Sequence, residues 1–196
     1  MKEMSTLICF NEVMECFIEK RTSRFSVDVV INGEKKRVYL CNTGKLPQLL
    51  IKGKRAYCLK TVKNIRLLSI EDYDLGALVD TYYQMKSFEK ALELNAIPWL
   101  KKCIISKRNP KLGNSVIDYL LTCNGDKVYT ELKSAILRLN SDIASYPDTI
   151  SLRGRRHLNE LVRHIARGVI VKAFSEYFEP KSKCIILDNY DLKLII

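Results

Sequence analysis

Histidine and tryptophan are nearly missing from this 196-residue chain, at 2 and 1, and the backbone breakers glycine and proline number only 8 and 5. With no low-complexity tract, that scarcity excludes a collagen-like, linker or disordered polypeptide. Long apolar runs are missing too. None approaches the ~18 to 20 residues that span a bilayer, and Asn11 and Glu12 interrupt the apolar stretch after Met1 that a signal peptide would need. The expectation is a cytoplasmic protein with no membrane partner. Seven cysteines are present (Cys9, Cys16, Cys41, Cys58, Cys103, Cys123, Cys184), yet no two have the close spacing of a zinc knuckle or redox pair. An oxidant could join Cys9 to Cys16, but a reducing cytosol keeps thiols free. Neither zinc nor a disulfide is expected, and the cysteines read as small buried apolar residues.

What is present is a core and a charge. Hydrophobic residues make up 47% and charged residues 28%, in a length that suits one domain or two small ones. Thirty-three basic against 22 acidic residues leave a formal charge of +11, which points to nucleic acid as partner. Because the charge is spread along the chain, merely solvated lysines are the alternative, and clustering must decide between them.

Residues 1–70 read as a small β domain. Arg24 to Ile31 alternates in polarity, Asn32-Gly33 supplies a hairpin turn, and strand patterns recur at Arg37 to Cys41, Tyr57 to Val62 and Ile65 to Ile70. Its basic residues (Lys35, Lys36, Arg37, Lys45, Lys52, Lys54, Arg55, Lys60, Lys63, Arg66) are interleaved with Tyr39 and Tyr57, as a barrel gripping a phosphate backbone would need. From Leu75 to Leu94 apolar residues recur at three and four, which predicts an amphipathic helix ending before Ile97-Pro98. Residues 71–196 then form a second, α/β domain, with strands at Lys101 to Ser106, Ser115 to Thr122, Lys127 to Lys133, Val169 to Phe174 and the C-terminus, and a helix over Leu152 to Arg167.

The most informative stretch is Asn114 to Lys133. Asn124-Gly125 is a strong type I′ hairpin signal. Counting outward from that turn sets Cys123 opposite Asp126, Leu121 opposite Val128, Leu120 opposite Tyr129, and Asp118 opposite Glu131, with Val116 reaching Lys133. Two directly opposed carboxylates repel, so one must be protonated or a cation must bridge them. Lys133 lies on the side of Glu131. Oxygen donors without His or Cys favour a hard divalent ion, Mg²⁺ or Mn²⁺, and the pattern suits a metal-dependent phosphodiesterase. The alternative is a solvated hairpin face that happens to carry Glu-x-Lys.

A second cluster runs from Tyr146 into a helix with Ser151 as N-cap. Leu158, Leu161, Val162 and Ile165 form its buried stripe, and Arg153, Arg156, His157, Arg163 and Arg167 lie largely on the other side. Gly154 in the first turn lets a phosphate approach the backbone. Arginines there oppose the helix dipole and so imply an anionic ligand; a solvated basic face is the alternative.

Asn42-Thr43-Gly44-Lys45, Ile117-Asp118-Tyr119, Glu131-Leu132-Lys133, Tyr146-Pro147-Asp148 and Arg153-Gly154 with His157-Leu158 occur in the order of one family's motifs. The chain resembles the sugar fermentation stimulation protein A (SfsA) family. It departs from that pattern at Arg155, where the family has Gln, and at Lys52-Gly53, where it has Pro-Gly. The resemblance implies an α+β or α/β architecture: a small N-terminal OB-like β-barrel followed by a mixed-sheet domain of the PD-(D/E)xK nuclease type, with DNA as partner. Asp118, Glu131 and Lys133 would be catalytic; Asp118, Glu131 and the Leu132 carbonyl would hold the metal. Lys45, Arg55, Arg153, Gly154, Arg156, His157 and Arg163 would contact DNA. The expected function is a DNA-binding protein with a Mg²⁺-dependent phosphodiesterase site; a non-catalytic DNA-binding regulator of sugar metabolism genes is the alternative. A homodimer is the assembly considered.

Overall fold

The computed structural model describes residues 5–134, 137–138, 143–145, 159, 176–187 and 193–195. The described part starts with strand β1 (Ser5–Cys9) and then winds β2 (Val13–Ser23), β3 (Ser26–Ile31), β4 (Glu34–Tyr39), β5 (Arg55–Lys60) and β6 (Ile65–Asp72) into a closed barrel. The alternation in β3 buries Val27, Val29 and Ile31 and leaves Ser26, Asp28 and Val30 turned outward. Asn32 and Gly33 take φ of 51° and 81°, and Ile31 pairs with Glu34 across them, the two-residue turn that Asn-Gly favours. The long β2 pairs with β3 on one side and β5 on the other, and β5 pairs with β6. A parallel contact between β4 and β6, with Tyr39 opposite Arg66, completes the ring. That strand order is the OB arrangement. Ile18, Val38, Leu40, Leu67 and Ile70 fill the inside, each burial contributing roughly 1.5–3 kcal/mol.

β7 (Leu75–Leu78) extends the sheet from β6, and α1 (Thr81–Glu93) follows at once. β8 (Cys103–Arg108), β9 (Lys111–Leu112), β10 (Ser115–Val116), β11 (Tyr119–Cys123) and β12 (Asp126–Thr130) come next. β11 lies between β8 and β12, while β9 and β10 form a small separate ladder. β13 (Leu137–Arg138) and β14 (Ile143–Ser145) pair with each other, and β14 runs parallel to β17 (Lys193–Ile195). β15 (Glu176–Glu179) and β16 (Cys184–Leu187) continue the barrel sheet outward in the order β7-β15-β16-β1. Phe88, Ala91 and Leu92 of α1 pack between that extension and the inner face of β8-β11-β12, contributed by Tyr119, Leu121 and Val128. The architecture is α+β, an OB barrel joined to a mixed-sheet domain.

Four expectations need correction. The helix begins at Thr81, since Leu75–Leu78 is a strand: Gly76 there sits so close to Ser69 and Phe178 that an added Cβ would lie 2.8 Å from the Ser69 hydroxyl, and Asp80 caps the helix. The strand read as Lys101 to Ser106 is Cys103–Arg108. Val116 pairs with Lys111 and not with Lys133, because Ile117 donates to the Pro110 carbonyl and closes a local hairpin. Two disulfides are formed, Cys9–Cys184 and Cys103–Cys123. Their partners are 175 and 20 residues apart, and the strand registers set each pair face to face. The helix over Leu152 to Arg167 and the strand Val169 to Phe174 fall outside the described residues. Among the described residues no helix is long and apolar enough to cross a membrane.

Candidate functional site

The hairpin forms as the turn dictates. Asn124 and Gly125 have φ of 51° and 96°, and the ladder runs from Cys123 opposite Asp126 to Tyr119 opposite Thr130. Asp118 and Glu131 are the next pair outward. Each carboxylate holds the other strand: Glu131 Oε2 accepts from the Asp118 amide at 3.1 Å, and Asp118 Oδ2 accepts from the Leu132 amide at 2.8 Å. The Lys133 ammonium donates to Glu131 Oε1. Glu131 is nearly buried at 5% exposure and Lys133 is 20% exposed. The repulsion between two opposed acids is therefore offset by backbone N–H donors and one ammonium. Among the described residues no group of three His, Cys, Asp or Glu is arranged to hold a metal ion. The donors present, two carboxylates with the Leu132 carbonyl, are hard oxygens and fit Mg²⁺ or Mn²⁺ by chemistry, not zinc.

A further carboxylate ties α1 to this sheet. Glu89 on α1 is 12% exposed; its Oε1 accepts from Arg108 Nε at 2.8 Å and from the Tyr119 hydroxyl at 3.2 Å, and its Oε2 accepts from Lys86 at 3.0 Å. The Arg108 guanidinium, chiefly, lowers the Glu89 carboxyl to about 2 against the opposing effect of burial. Burial pushes the Tyr119 hydroxyl well up. One turn before, Gln84 donates to the Ser134 hydroxyl at 2.7 Å and to the Leu78 carbonyl at 2.6 Å. The helix is thereby fastened to the segment just after Lys133.

The barrel cations look different from their sequence reading. Lys35 and Lys52 both reach Glu19, at 3.5 and 3.4 Å, Lys36 meets Glu34 at 3.2 Å, and Arg37 meets Asp28 at 2.8 Å. Arg55, expected on DNA, lies between Glu15 at 3.7 Å and Glu71 at 3.6 Å. Lys45 is exposed, and its carbonyl accepts from Arg21 at 3.3 Å. Asn42 is buried: its amide donates to the Val79 carbonyl at 3.0 Å and its Oδ1 accepts from the Gly44 amide at 2.8 Å. The Asn-Thr-Gly segment is an architectural loop, clamped further by Arg21 on the Gly44 and Asn42 carbonyls. Tyr57 is core and Tyr39 half-buried. Arg153, Gly154, Arg156, His157 and Arg163 lie outside the described residues.

Two family models match the chain: the SfsA N-terminal OB domain over residues 20–75, and the sugar fermentation stimulation protein RE domain over residues 82–184. A sugar fermentation stimulation protein homolog of Pyrococcus furiosus is 40% identical over 151 residues, and one of Archaeoglobus fulgidus is 39% identical over the same length. Each match covers 76% of this chain and 65% of the relative, so the chain spans just under two thirds of those proteins. A solved structure described as Pyrococcus furiosus SfsA in complex with Ca²⁺ superposes with a TM-score of 0.89 at 29% identity, covering 98% of this chain and 100% of that one.

Proposed function

The chain belongs to the sugar fermentation stimulation protein family, and on that premise we propose that it binds DNA and hydrolyses phosphodiester bonds at Asp118, Glu131 and Lys133. The observation that carries this reading is the convergence of two acids and a lysine at the open end of one hairpin, held by each other's backbone amides. Hydrolysis joins a water oxygen to phosphorus, breaks one P–O ester bond, and leaves a phosphate monoester and a hydroxyl. Asp118 and Glu131, with the Leu132 carbonyl, would hold a divalent ion. Bound there, such an ion supplies an activated water and offsets charge on the phosphate. Support comes from the Pyrococcus furiosus relative, described as a complex with Ca²⁺, another hard oxygen-seeking ion. Lys133 presents its ammonium beside Glu131, placed to stabilise the extra negative charge of the pentacovalent phosphorus. Gln84 and Ser134 keep the strand end carrying Lys133 against α1.

The test incubates the protein with single- and double-stranded DNA and Mg²⁺ or Mn²⁺. Cleavage is expected, falling roughly 100-fold or more in Asp118→Asn and Lys133→Ala. No cleavage by the unaltered protein, or cleavage undiminished in those variants, rejects hydrolysis. One observation favours the rival reading of a DNA-binding regulator without catalysis: the acids are already satisfied by protein donors. Tight, salt-dependent binding indifferent to metal would select it.

A further inference from the structure

Strand β8 is out of step with β11. Leu121 pairs with Ile105 and Leu120 with Lys107, so Ser106 is an extra residue in the ladder. A bulge of this kind re-aims the side chains that follow it. Side chains alternate along a strand, so without the bulge Lys107 would share the face of Ile105, inward toward α1, and Arg108 would point out. With it the two exchange places. Arg108 turns inward and meets Glu89 on α1 at 2.8 Å, while Lys107 turns out opposite Leu120.

The outer face of the sheet therefore reads in rows. Ile104, Thr122 and Lys127 form one, and Lys107, Leu120 and Tyr129 the next. Asp118 and Glu131 follow, roughly 7 Å further along the strands. Lys107 and Lys127 are exposed, and neither has an acidic partner among the described residues. Six barrel cations differ in this, since Lys35, Lys36, Arg37, Lys52, Arg55 and Arg66 have carboxylate partners, whereas Lys45, Lys54, Lys60 and Lys63 have none among the described residues.

We propose that the bulge at Ser106 exists to bring Lys107 onto the face of the acid pair, where it and Lys127 hold the phosphate backbone of a DNA strand leading to Asp118 and Glu131. This rests on the DNA-binding reading above and names the surface that does the binding. Each lysine that neutralises a phosphate releases counterions, so its loss flattens the dependence of affinity on salt.

The experiment measures affinity for a short DNA duplex across a salt series. Lys107→Ala with Lys127→Ala is expected to weaken binding about tenfold or more at low salt and to reduce the slope of log K against log salt by about 1.8. The barrel pair Lys35→Ala with Lys52→Ala, which removes the same net charge from lysines already held by Glu19, should leave the slope nearly unchanged. Lys107→Arg with Lys127→Arg should restore it, which separates lost charge from lost folding. An unaltered slope in the sheet variant, or an equal drop in the barrel variant, overturns the proposal while leaving DNA binding itself intact. No binding by the unaltered protein sinks both.

Discussion

Glu89 illustrates how a single carboxylate gains its role from distant strands. Its partners Arg108 and Tyr119 lie 19 and 30 residues away, so helical periodicity alone gives only an acid on a polar face. Because its carboxyl is held near 2 in the folded chain and would titrate near 4.5 unfolded, its contribution is complete above pH 4.5 and is lost as pH falls toward about 2. The loss amounts to roughly 2–3 kcal/mol, allowing for the solvent around Arg108. Glu89→Gln should lower stability at neutral pH and flatten the fall between those pH values, as followed by urea unfolding at a series of pH. A slope as steep as in the unaltered protein would remove Glu89 from the account. Asp118 and Glu131, by contrast, were legible from the sequence, because a two-residue Asn-Gly turn leaves only one register. What the sequence could not supply was how they are satisfied, which depends on the amides of Asp118 and Leu132 at the ladder's end.

At the scale of elements, the junction between barrel and helix rests on Asp80. It is fully buried, accepts from the Tyr82 and Tyr83 amides as N-cap, and takes two bonds of 2.8 Å from Arg66 on β6. Arg66 in turn lies against the rings of Tyr39, Tyr82 and Tyr83, at 5.2, 5.4 and 5.8 Å. Asp80→Ala removes a cap and strands a mostly buried guanidinium, so a loss of about 3–5 kcal/mol is expected in chemical denaturation. A loss under about 1 kcal/mol would mean that Arg66 finds solvent freely. Helical periodicity sets the helix start too early for a related reason. Leu75, Leu78, Val79 and Tyr82 fall at helical spacing by coincidence, and only the partners of Gly76, Ser69 and Phe178, reveal a strand there. The two Asn-Gly hairpins needed no such outside information, since their turn conformation is set by the two residues themselves. The bulge at Ser106 had no local signal at all, being visible only in the mismatch between two strands.

For the molecule as a whole, the cysteines carry the largest discrepancy between sequence and structure. Local spacing offers no pair, yet strand registers bring Cys9 to Cys184 and Cys103 to Cys123, leaving Cys16, Cys41 and Cys58 as thiols. Thiol titration of the unfolded, unreduced chain should count three, and after reduction all seven. Closing the 175-residue loop should contribute roughly 3–5 kcal/mol, so reduction should lower the melting temperature measurably. Seven thiols before any reductant would show that the pairs stay open. The barrel itself was legible from short alternating strands and turn residues; its charge was not, since salt bridges to residues distant in sequence neutralise several cations that a linear reading leaves bare.

Among the described residues strand β1 has one ladder partner, β16, some 175 residues further along the chain. During synthesis the ribosome emits that first strand long before its mate exists, so residues 5–9 must wait, edge unsatisfied, while the barrel behind them closes. Docking of β1 must therefore follow the synthesis of residue 187, and a cell making this protein must shelter an orphan β edge over all the residues translated between the two strands.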